Sequence, residues 1–545
     1  MRDAAWMPPL DPLPIRPDLM EREAGVEGFF AQSLQAHEGQ PGLLSVSLPA
    51  PVVGVARVVE ALGEDLELLW HPPGAWSLVG EGMVCARTLT GPERLQELQQ
   101  WASQLFEQLR VRVHPACIAR AGDLLPFPTT MASAALEGTS PLLPRLFGGL
   151  AFDVEGAHDG PWQGFGDGRF LLARWVYASD GNSACLTWNG TGTELLKAEM
   201  LQESLRQYRV WRTRLELLTH ASGDKYGVDK FSTDKFSTDK FSADRNGTEK
   251  HGRDKHPPRE SSRLRSISPM QQEDPPRLQV QQLPLERWKP MVEEVREAIR
   301  AGQFRKVVLA RRAEVTRDTP FSTVEVLTRL IQDFPTCTIF ALKHGDATFL
   351  GATPERLLRR SGSRVTTEAL AGSSLSTQED AAHQLLRSEK DLDEHRVVVE
   401  EIRTALEPYC TRLNMPETPG IRRLRHVLHL HTPIEGWLEK GVHVLELVQA
   451  LHPTPAVGGV PSREALRFIR ALEPVSRGWY AGPVGFFDAS GDGEFWVALR
   501  SGLLRGAHAW LYAGGGIMRD SVPEKEYLET ALKQRAILQA LGVDV

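Results

Sequence analysis

Apolar residues recur along the chain with two different periods, and these periods predict a mixture of helices and strands. Between Gly91 and Arg110, leucines and a tryptophan recur at three- and four-residue steps, which predicts an amphipathic helix. The run from Leu146 to Asp153 is apolar and contains two adjacent glycines. It favours a buried strand with close backbone packing over a phosphate-binding loop, because it lacks the rest of that motif.

After residue 281, the same two periods of apolar residues predict helices and strands in mixed order. Met291 to Ile299 form one apolar helix face with Gly302 as its stop, residues 304–315 are rich in β-formers, and Ser322 is expected to cap the next helix. Further predicted elements are strands at 337–342 and 348–350, a hairpin around 361–362, a long polar helix over Asp380–Leu406 and a terminal helix from near Pro523. This order predicts α+β layers and not a repeated βαβ unit.

One segment, residues 221–280, follows neither period. It carries the pentapeptide Asp-Lys-Phe-Ser-Thr at Asp229 and Asp234, with a variant at Asp239. A five-residue repeat offers no continuous apolar face on a helix or a strand, so ordering it would cost more entropy than its burial returns. We expect a flexible low-complexity linker or insertion between an amino-terminal part, residues 1–220, and a catalytic part, residues 281–545. A docking role for its phenylalanines is the alternative.

The charge balance restricts the partners of the chain. Lys and Arg number 63 and Asp and Glu number 70, a net charge of −7 that does not favour nucleic acid or an anionic membrane. No apolar run is long enough for a membrane span or a signal peptide, and five scattered cysteines offer neither a disulfide framework nor a CxxC metal motif. We expect a cytoplasmic monomer or homodimer that holds any anionic substrate at a local cationic site.

Acidic residues on two predicted helices are candidates for a metal site. Glu526, Glu529 and Lys533 share one side of the terminal helix, and Glu394 lies in an acidic cluster on the long polar helix. A solvated, salt-bridged face is the alternative for both patterns. The run Gly514–Gly516 before the terminal helix would let backbone N–H groups approach an anion. Oxygen ligands without an accompanying cysteine suit Mg²⁺ better than zinc.

A lysine at the start of a predicted strand is a candidate general base. Lys306 precedes the apolar run Val307–Ala310, and burial there would lower the lysine pKa toward neutrality. The alternative is an ordinary lysine with its ammonium group in water. His426, His429 and His431 do not share one helical face, so we interpret them as packing residues or a single substrate contact.

Six short segments then stand in a known order and spacing between residues 283 and 545: Lys306–Arg311, Gly351–Glu355, Leu370–Ser373, Ser388–Asp391, Leu451–Ala456 and Gly514–Lys533. Each is weak alone, but together they resemble the chorismate-binding domain of isochorismate synthases. The first 220 residues resemble the more divergent amino-terminal half of that fold. The resemblance implies one large α/β (α+β) domain with two stacked antiparallel β-sheets flanked by helices and an active site between them.

The resemblance also implies roles for individual residues. Lys306 is similar to the base that activates water for attack at C2 of chorismate, and Glu355 to the acid that protonates the departing C4 hydroxyl. Glu394 and Glu529 would bind Mg²⁺, with Glu526 helping through water, and the metal would hold the ring carboxylate. The other carboxylate would contact Arg500, the Gly514 backbone and Lys533. The residues expected to line the site are His429, Gly372, Ser373 and Ala456.

A few residue positions distinguish isochorismate synthases from enzymes with related activities. Aminodeoxychorismate synthases commonly carry a lysine where this chain has Ala371, and anthranilate synthases lack the equivalent of Lys306. Salicylate synthases share Lys306 and Glu355 and are the main alternative. Two further classes are an inactive ligand-binding homologue and a glycoside hydrolase with paired carboxylates. His431 stands where relatives often have a small residue. We expect isochorismate as the product, for menaquinone or, as the alternative, siderophore biosynthesis.

Overall fold

Helices and strands alternate irregularly along the chain, as the two apolar periods predict. The computed structural model describes residues 17–120, 142–154, 160–220, 278–375, 380–423 and 427–543. No helix in these ranges is both long enough and apolar enough to cross a membrane. The helices are α1 (Pro17–Gln35), α2 (Val55–Leu62), α3 (Arg94–Phe106), α4 (Pro115–Arg120), α5 (Gly192–Leu195), α6 (Ala198–His220), α7 (Leu285–Arg300), α8 (Thr323–Asp333), α9 (Ala381–Arg387), α10 (Glu389–Leu406), α11 (Val444–Leu451), α12 (Ser462–Leu472) and α13 (Pro523–Ala540).

The strands are distributed over both halves of the chain. Those before the insertion are β1 (Leu43–Pro49), β2 (Leu66–His71), β3 (Ser77–Leu89), β4 (Arg110–Val113), β5 (Arg145–Leu150), β6 (Gly168–Ser179) and β7 (Ala184–Thr191). Those after it are β8 (Leu278–Gln282), β9 (Lys306–Arg317), β10 (Thr338–His344), β11 (Ala347–Thr353), β12 (Arg356–Ser361), β13 (Arg364–Leu375), β14 (Cys410–Asn414), β15 (Gly420–Arg423), β16 (Val427–Leu438), β17 (Gly459–Val460), β18 (Pro483–Asp488), β19 (Gly493–Val497), β20 (Ser501–Arg505) and β21 (His508–Ile517).

These strands form one hydrogen-bonded network that divides into two arms at β6. The first half of β6 pairs with β5 and the second half with β7. The first arm runs β4, β1, β7, β6, β3, β2, β10, β11, β20, β21 and β9, with β8 and β17 beyond β9. The second arm leaves β6 through β5, β18, β19, β12, β13 and β16, which also pairs with β14 and β15. The pairings are antiparallel except that of β1 with β4.

The antiparallel order and the flanking helices predicted from the sequence are confirmed. The two expected sheets are joined through β6, whose length lets it pair with different neighbours at its two ends. Strands from before and after the insertion meet in both arms, since β2 pairs with β10 and β5 with β18. The described parts of the chain therefore form one domain, as expected.

The glycines of β5 pack closely against neighbouring strands, as predicted for the Leu146–Asp153 run. All residues of β5 are buried. A Cβ atom on Gly148 would lie 2.1 Å from the carbonyl oxygen of Arg169, and one on Gly149 would lie 2.6 Å from the ring of Trp479. A side chain at either position would overlap a neighbour, which explains the paired glycines as packing residues.

Two predicted boundaries were wrong. The long polar helix over Asp380–Leu406 is two helices, α9 and α10, because Ser388 has an extended backbone (ψ 104°) and its hydroxyl caps α10 by accepting the N–H of Asp391 at 3.3 Å. Strand β8 begins at Leu278, inside the insertion predicted to end at 280, and Val280 pairs there with Val315 of β9. The remainder of that insertion, with its repeats, lies outside the described residues.

The other predicted elements agree with the structure. The amphipathic helix predicted within 91–110 is α3, with Leu98 and Ala102 buried. Ser322 caps α8 by accepting the N–H of Glu325 at 3.3 Å, and β12 and β13 form the hairpin predicted around 361–362. All five cysteines are free thiols.

Candidate active site

A pocket of about 250 Å³ lies where residues of the two arms face each other. The first arm contributes the start of β9 and the end of β21, and the second contributes β13 and β16, while α10 and α13 close the sides. Most residues implicated by the resemblance line this pocket, namely Lys306, Glu355, Gly372, Glu394, His429, Ala456, Arg500, Gly514, Glu526, Glu529 and Lys533. The structure therefore brings together groups that lie as far apart in sequence as residues 306 and 533.

Ser373 is the implicated residue that does not appear in this lining. Its backbone pairs with His429 across β13 and β16, after a register shift between Ala371 and Ser373. Its side chain lies outside what the structure describes. Gly372, at the shift, has a φ of +70°, and a Cβ there would lie 3.1 Å from Asp391 of α10. Glycine is thus needed at this position for both conformation and space.

Lys306 and Glu394 form a buried ion pair across the pocket. The Lys306 side chain is 6% exposed, and its Nζ donates to Oε1 of Glu394 at 2.7 Å. Burial alone would raise the pKa of Glu394, but the charge of Lys306 and this hydrogen bond hold it below its usual value. An ion pair stabilises both charged forms, whereas a general base must be neutral. Lys306 can therefore act as a base only after Glu394 has taken another partner.

The glycine run at the end of β21 makes room for these side chains. A Cβ on Gly516 would lie 2.8 Å from Cε of Lys306, and one on Gly515 would lie 3.3 Å from Oε2 of Glu526. The run was expected to let the backbone approach an anion. In the structure its glycines clear the path by which the Lys306 and Glu526 side chains enter the pocket.

Glu355 lies between β11 and β12 with its backbone fixed on both sides. Its N–H donates to the Thr353 hydroxyl at 3.3 Å, and its carbonyl accepts the N–H of Val497 at 3.0 Å. Burial raises the pKa of the Glu355 carboxyl to about 7, and the negative charge of Glu368 adds to this rise. A large fraction of the carboxyl is therefore protonated near neutral pH. This is the state that a general acid requires.

Three ionisable groups of α13 face the pocket together, as their spacing predicts. Lys533 Nζ is 2.8 Å from Oε1 of Glu529 and donates to the carbonyl of Gly514 at 3.0 Å. The charge of Lys533 lowers the pKa of Glu529, while burial and the charge of Glu529 raise the pKa of Glu526. In the described part of the chain, no three His, Cys, Asp or Glu side chains converge closely enough to hold a metal ion. Two of the expected ligands contact lysines instead.

Arg500 and His429 complete the polar lining. Arg500 has a φ of +45°, in the left-handed region that costs a non-glycine residue about 1 kcal/mol or more, and its carbonyl accepts the N–H of Ala352 at 3.0 Å. Burial, with the charges of Lys533 and Arg500, lowers the pKa of His429 to about 4. His429 is therefore neutral at physiological pH, and the cationic charge facing an anion there comes from Arg500 and Lys533.

Two tyrosines in the wall were not singled out from the sequence. The rings of Tyr480 and Tyr512 are stacked at 5.4 Å, and Trp162 Nε1 donates to the Tyr512 hydroxyl at 3.0 Å. Burial raises the pKa of both tyrosines, so both hydroxyls stay neutral. Their apolar surroundings resemble an ordinary core in the sequence. The available signal was the pair of glycines, Gly478 and Gly482, that flank Tyr480.

Arg477 was also missed, and it holds the pocket wall in place. It donates to the carbonyls of Val308 at 2.7 Å and Val457 at 2.8 Å, and it pairs with Glu473, four residues earlier in the chain. These bonds tie β9 to the segment that carries Ala456. Arg477 is 4% exposed, so its charge is committed to these partners.

Known sequences that are similar to this chain agree with one another in the family they indicate. A family model described as "Chorismate binding enzyme" matches residues 242–542. The salicylate biosynthesis isochorismate synthase of Pseudomonas aeruginosa is 38% identical over 421 residues, which cover 75% of this chain and 76% of that protein. The isochorismate synthase MenF of Bacillus subtilis is 42% identical over 260 residues, which cover 47% of this chain and 55% of that protein.

Solved structures share the fold. The menaquinone-specific isochorismate synthase MenF of Escherichia coli matches with a TM-score of 0.65 at 24% identity, covering 94% of this chain and 99% of that one. Anthranilate synthase component I of Streptococcus pneumoniae matches with a TM-score of 0.59 at 20% identity, covering 85% and 92%. At these identities the structural likeness concerns the fold alone.

Proposed function

The chain belongs to the family of chorismate-binding enzymes, and we propose that it is an isochorismate synthase, an isomerase that adds water at C2 of chorismate and removes the C4 hydroxyl. The observation that carries this proposal is the pairing of an amine and a protonatable carboxyl in one pocket. Lys306 and Glu355 line the same cavity, and the Glu355 pKa is raised to about 7. A base and an acid that act on the same substrate are what this exchange of hydroxyl groups needs.

We assign Glu355 the role of the acid. Chorismate loses its C4 hydroxyl more easily as water, so a proton must reach that oxygen as the C–O bond breaks. The protonated Glu355 carboxyl supplies it. The backbone contacts of Glu355 with Thr353 and Val497 keep the segment that carries this carboxyl in place.

We assign Lys306 the role of the base toward the attacking water. Its amine is buried at the start of β9, and Gly516 leaves the space through which it reaches the pocket. The carboxylate of Glu394 accepts a hydrogen bond from the Lys306 amine at 2.7 Å. If Glu394 bound a cation instead of Lys306, the amine would be free to take a proton from water.

Two cationic side chains, Arg500 and Lys533, are suited to bind the second carboxylate of chorismate, while the metal would bind the ring carboxylate. Arg500 and Lys533 line the pocket, and the buried, neutral His429 lies beside them. Lys533 already contacts Glu529 and the Gly514 carbonyl, so binding would draw it partly from these partners. Charge concentrated at this point compensates for the overall negative charge of −7, which disfavours a dianionic substrate elsewhere on the surface.

The acidic residues of the pocket have the donor atoms of a magnesium site, and Glu394 and Glu529 would leave their lysine partners to form it. Glu394, Glu526 and Glu529 offer only carboxylate oxygens, the ligands that Mg²⁺ prefers. The raised pKa of Glu526, caused by burial and by Glu529, means that negative charge is crowded there, and a cation would relieve it. The glycines at 515 and 516 leave space that a Cβ would fill. Bound at these carboxylates, Mg²⁺ would neutralise the charge of the ring carboxylate.

Glu529→Gln should weaken Mg²⁺ binding at least about tenfold, because a charged oxygen ligand becomes a neutral amide. The measurement is a calorimetric titration of the protein with Mg²⁺ in the absence of chorismate, with a thermal melt to confirm folding. Glu400→Gln is the control, since Glu400 is exposed on α10 and pairs with Arg403. An unchanged Mg²⁺ affinity for Glu529→Gln would remove this residue from the metal site.

Product analysis tests the proposed function. Purified protein incubated with chorismate and Mg²⁺ at neutral pH should yield isochorismate without ammonia or a redox partner. Salicylate with an equal amount of pyruvate would identify a salicylate synthase instead, and ammonia-dependent anthranilate would refute the assignment. Ala371 lies in the pocket lining, where aminodeoxychorismate synthases commonly carry a lysine, and this supports the synthase of isochorismate.

A further inference from the structure

A second group of charged side chains, Glu368, Arg422 and His431, lies on strands β13, β15 and β16, and the charges of Glu368 and Arg422 act on the proposed acid. The Glu368 side chain is 8% exposed and both partners contact the same oxygen, Oε2. His431 Nε2 lies 2.9 Å from it, and an Nη1 nitrogen of Arg422 also donates to it. We call these three residues the Glu368 cluster. None of the three has a role in the proposed reaction.

The cluster is built on three adjacent strands and lies on the side of the sheet that faces the pocket. Glu368 and Leu370 share one face of β13, because side chains alternate along a strand. Leu370 pairs with His431 of β16, and Arg422 of β15 pairs with His429. Leu370 and His429 both line the pocket, so the face that carries the cluster is the pocket face.

Strand pairing also places Glu368 near Glu355. The Thr367 hydroxyl donates to the carbonyl of Leu357 at 2.5 Å, which fixes β13 against the start of β12, two residues after Glu355. Burial alone would raise the pKa of Glu368, but the hydrogen bond from His431 and the charges of Arg422 and Arg356 hold it below its usual value. Glu368 is therefore negatively charged at neutral pH.

We propose that Glu368, held by His431 and Arg422, is a positioning residue whose fixed negative charge keeps the Glu355 carboxyl protonated for its role as the acid. This inference rests on the proposed function. The charged groups that act on Glu355 come from four elements: Lys306 of β9, Lys533 of α13 and Arg422 of β15, which favour ionisation, and Glu368 of β13, which opposes it. Burial is the larger cause of the raised pKa of Glu355, and without Glu368 the neighbouring cations would offset more of it, so a larger fraction of the carboxyl would be ionised and unable to donate a proton.

The test is the pH profile of isochorismate formation. Activity that depends on protonated Glu355 falls as the pH rises through its pKa. Glu368→Gln removes the negative charge, so the pKa of Glu355 should fall and the alkaline limb should move to lower pH by about one unit. The maximal rate on the acid side of that limb should change much less. Glu368→Asp keeps the charge and should restore the limb toward its original position.

Glu435→Gln is the matched control. Glu435 lies on β16 and pairs with Arg364 of β13, so this substitution breaks a carboxylate–arginine contact between two strands that carry the Glu368 cluster, and the main charges that act on Glu355 do not include Glu435. Its pH profile should match that of the unaltered enzyme. A uniform loss of rate in Glu368→Gln at every pH, with the limb in place, would overturn the proposal and leave Glu368 a structural residue.

A second measurement does not depend on activity. The infrared band of the protonated Glu355 carboxyl, assigned by its loss in Glu355→Gln, can be followed during a pH titration. Its midpoint should be lower in Glu368→Gln than in the unaltered protein, and an equal midpoint would overturn the proposal. If the unaltered protein forms no isochorismate, the proposed function fails while this titration still decides the effect of Glu368. If it forms isochorismate and the limb does not move, only this inference fails.

Discussion

Lys306→Ala should lower kcat for isochorismate formation by about 10²–10⁴-fold and leave chorismate affinity within a few-fold of the original value. The substitution removes the proposed base, while Arg500 and Lys533 remain to bind the substrate. It also leaves Glu394 buried without its ion-pair partner, which favours protonation of Glu394. The effect should therefore be measured at saturating Mg²⁺. Steady-state kinetics give kcat, and calorimetric titration with chorismate gives the affinity.

Two further variants separate the loss of the base from the loss of the ion pair. Lys306→Arg keeps a positive charge near Glu394 but cannot become neutral at physiological pH, so it should be as inactive as the alanine variant. Lys289→Ala breaks an exposed ion pair with Glu524 of the same length, 2.7 Å, and should leave kcat unchanged. Substantial turnover by Lys306→Arg would show that Lys306 acts through its charge and not as a base.

The pairing of Lys306 with Glu394 marks the limit of what the sequence could predict about the site. Apart from Ser373, the site residues indicated by the motifs line one pocket. The contacts between them depend on how β9 and α10 pack. Lys306 and Glu394 are 88 positions apart, so the local sequence around either residue does not show that they are in contact. From the sequence we expected Lys306 to be neutral and Glu394 to be a metal ligand, whereas in the structure the two residues are ion-pair partners.

His431 is a second residue whose contact could not be predicted from the sequence. In the sequence it was a minor departure from the family pattern. In the structure it binds Glu368, which is 63 positions away and shares its face of the sheet through strand register. Register is set by turns and by the burial of a whole strand, so a single polar residue does not reveal its partner.

For the fold, the elements were predictable and their connection was not. Apolar periods and caps located α3, the cap of α8 and the hairpin of β12 with β13. The branch at β6 depends on that strand pairing with β5 at one end and β7 at the other. Such long-range pairing leaves no mark in local composition. The break at Ser388 is a local feature and was overlooked, because serine within a polar run also suits a helix surface.

Glu355→Gln should lower kcat by about 10²–10⁴-fold, because the amide has nearly the shape of the protonated acid but no proton to give. In the unaltered enzyme the rate should fall as the pH rises through about 7, where the Glu355 carboxyl ionises. The residual rate of Glu355→Gln should lack that dependence. A profile that keeps the same alkaline limb in Glu355→Gln would assign the limb, and the acid, to another group.

The same substitution should not weaken substrate binding, although it lowers kcat. Above neutral pH the unaltered site carries an ionised Glu355 that repels a dianionic substrate, and Glu355→Gln removes this repulsion. The variant should therefore bind chorismate at least as tightly as the unaltered enzyme at alkaline pH, and equally tightly where Glu355 is protonated. Calorimetric titrations with chorismate on both sides of neutrality measure this difference. Weaker binding by Glu355→Gln at alkaline pH would mean that the carboxylate contacts the substrate favourably, which is incompatible with an acid that must stay protonated.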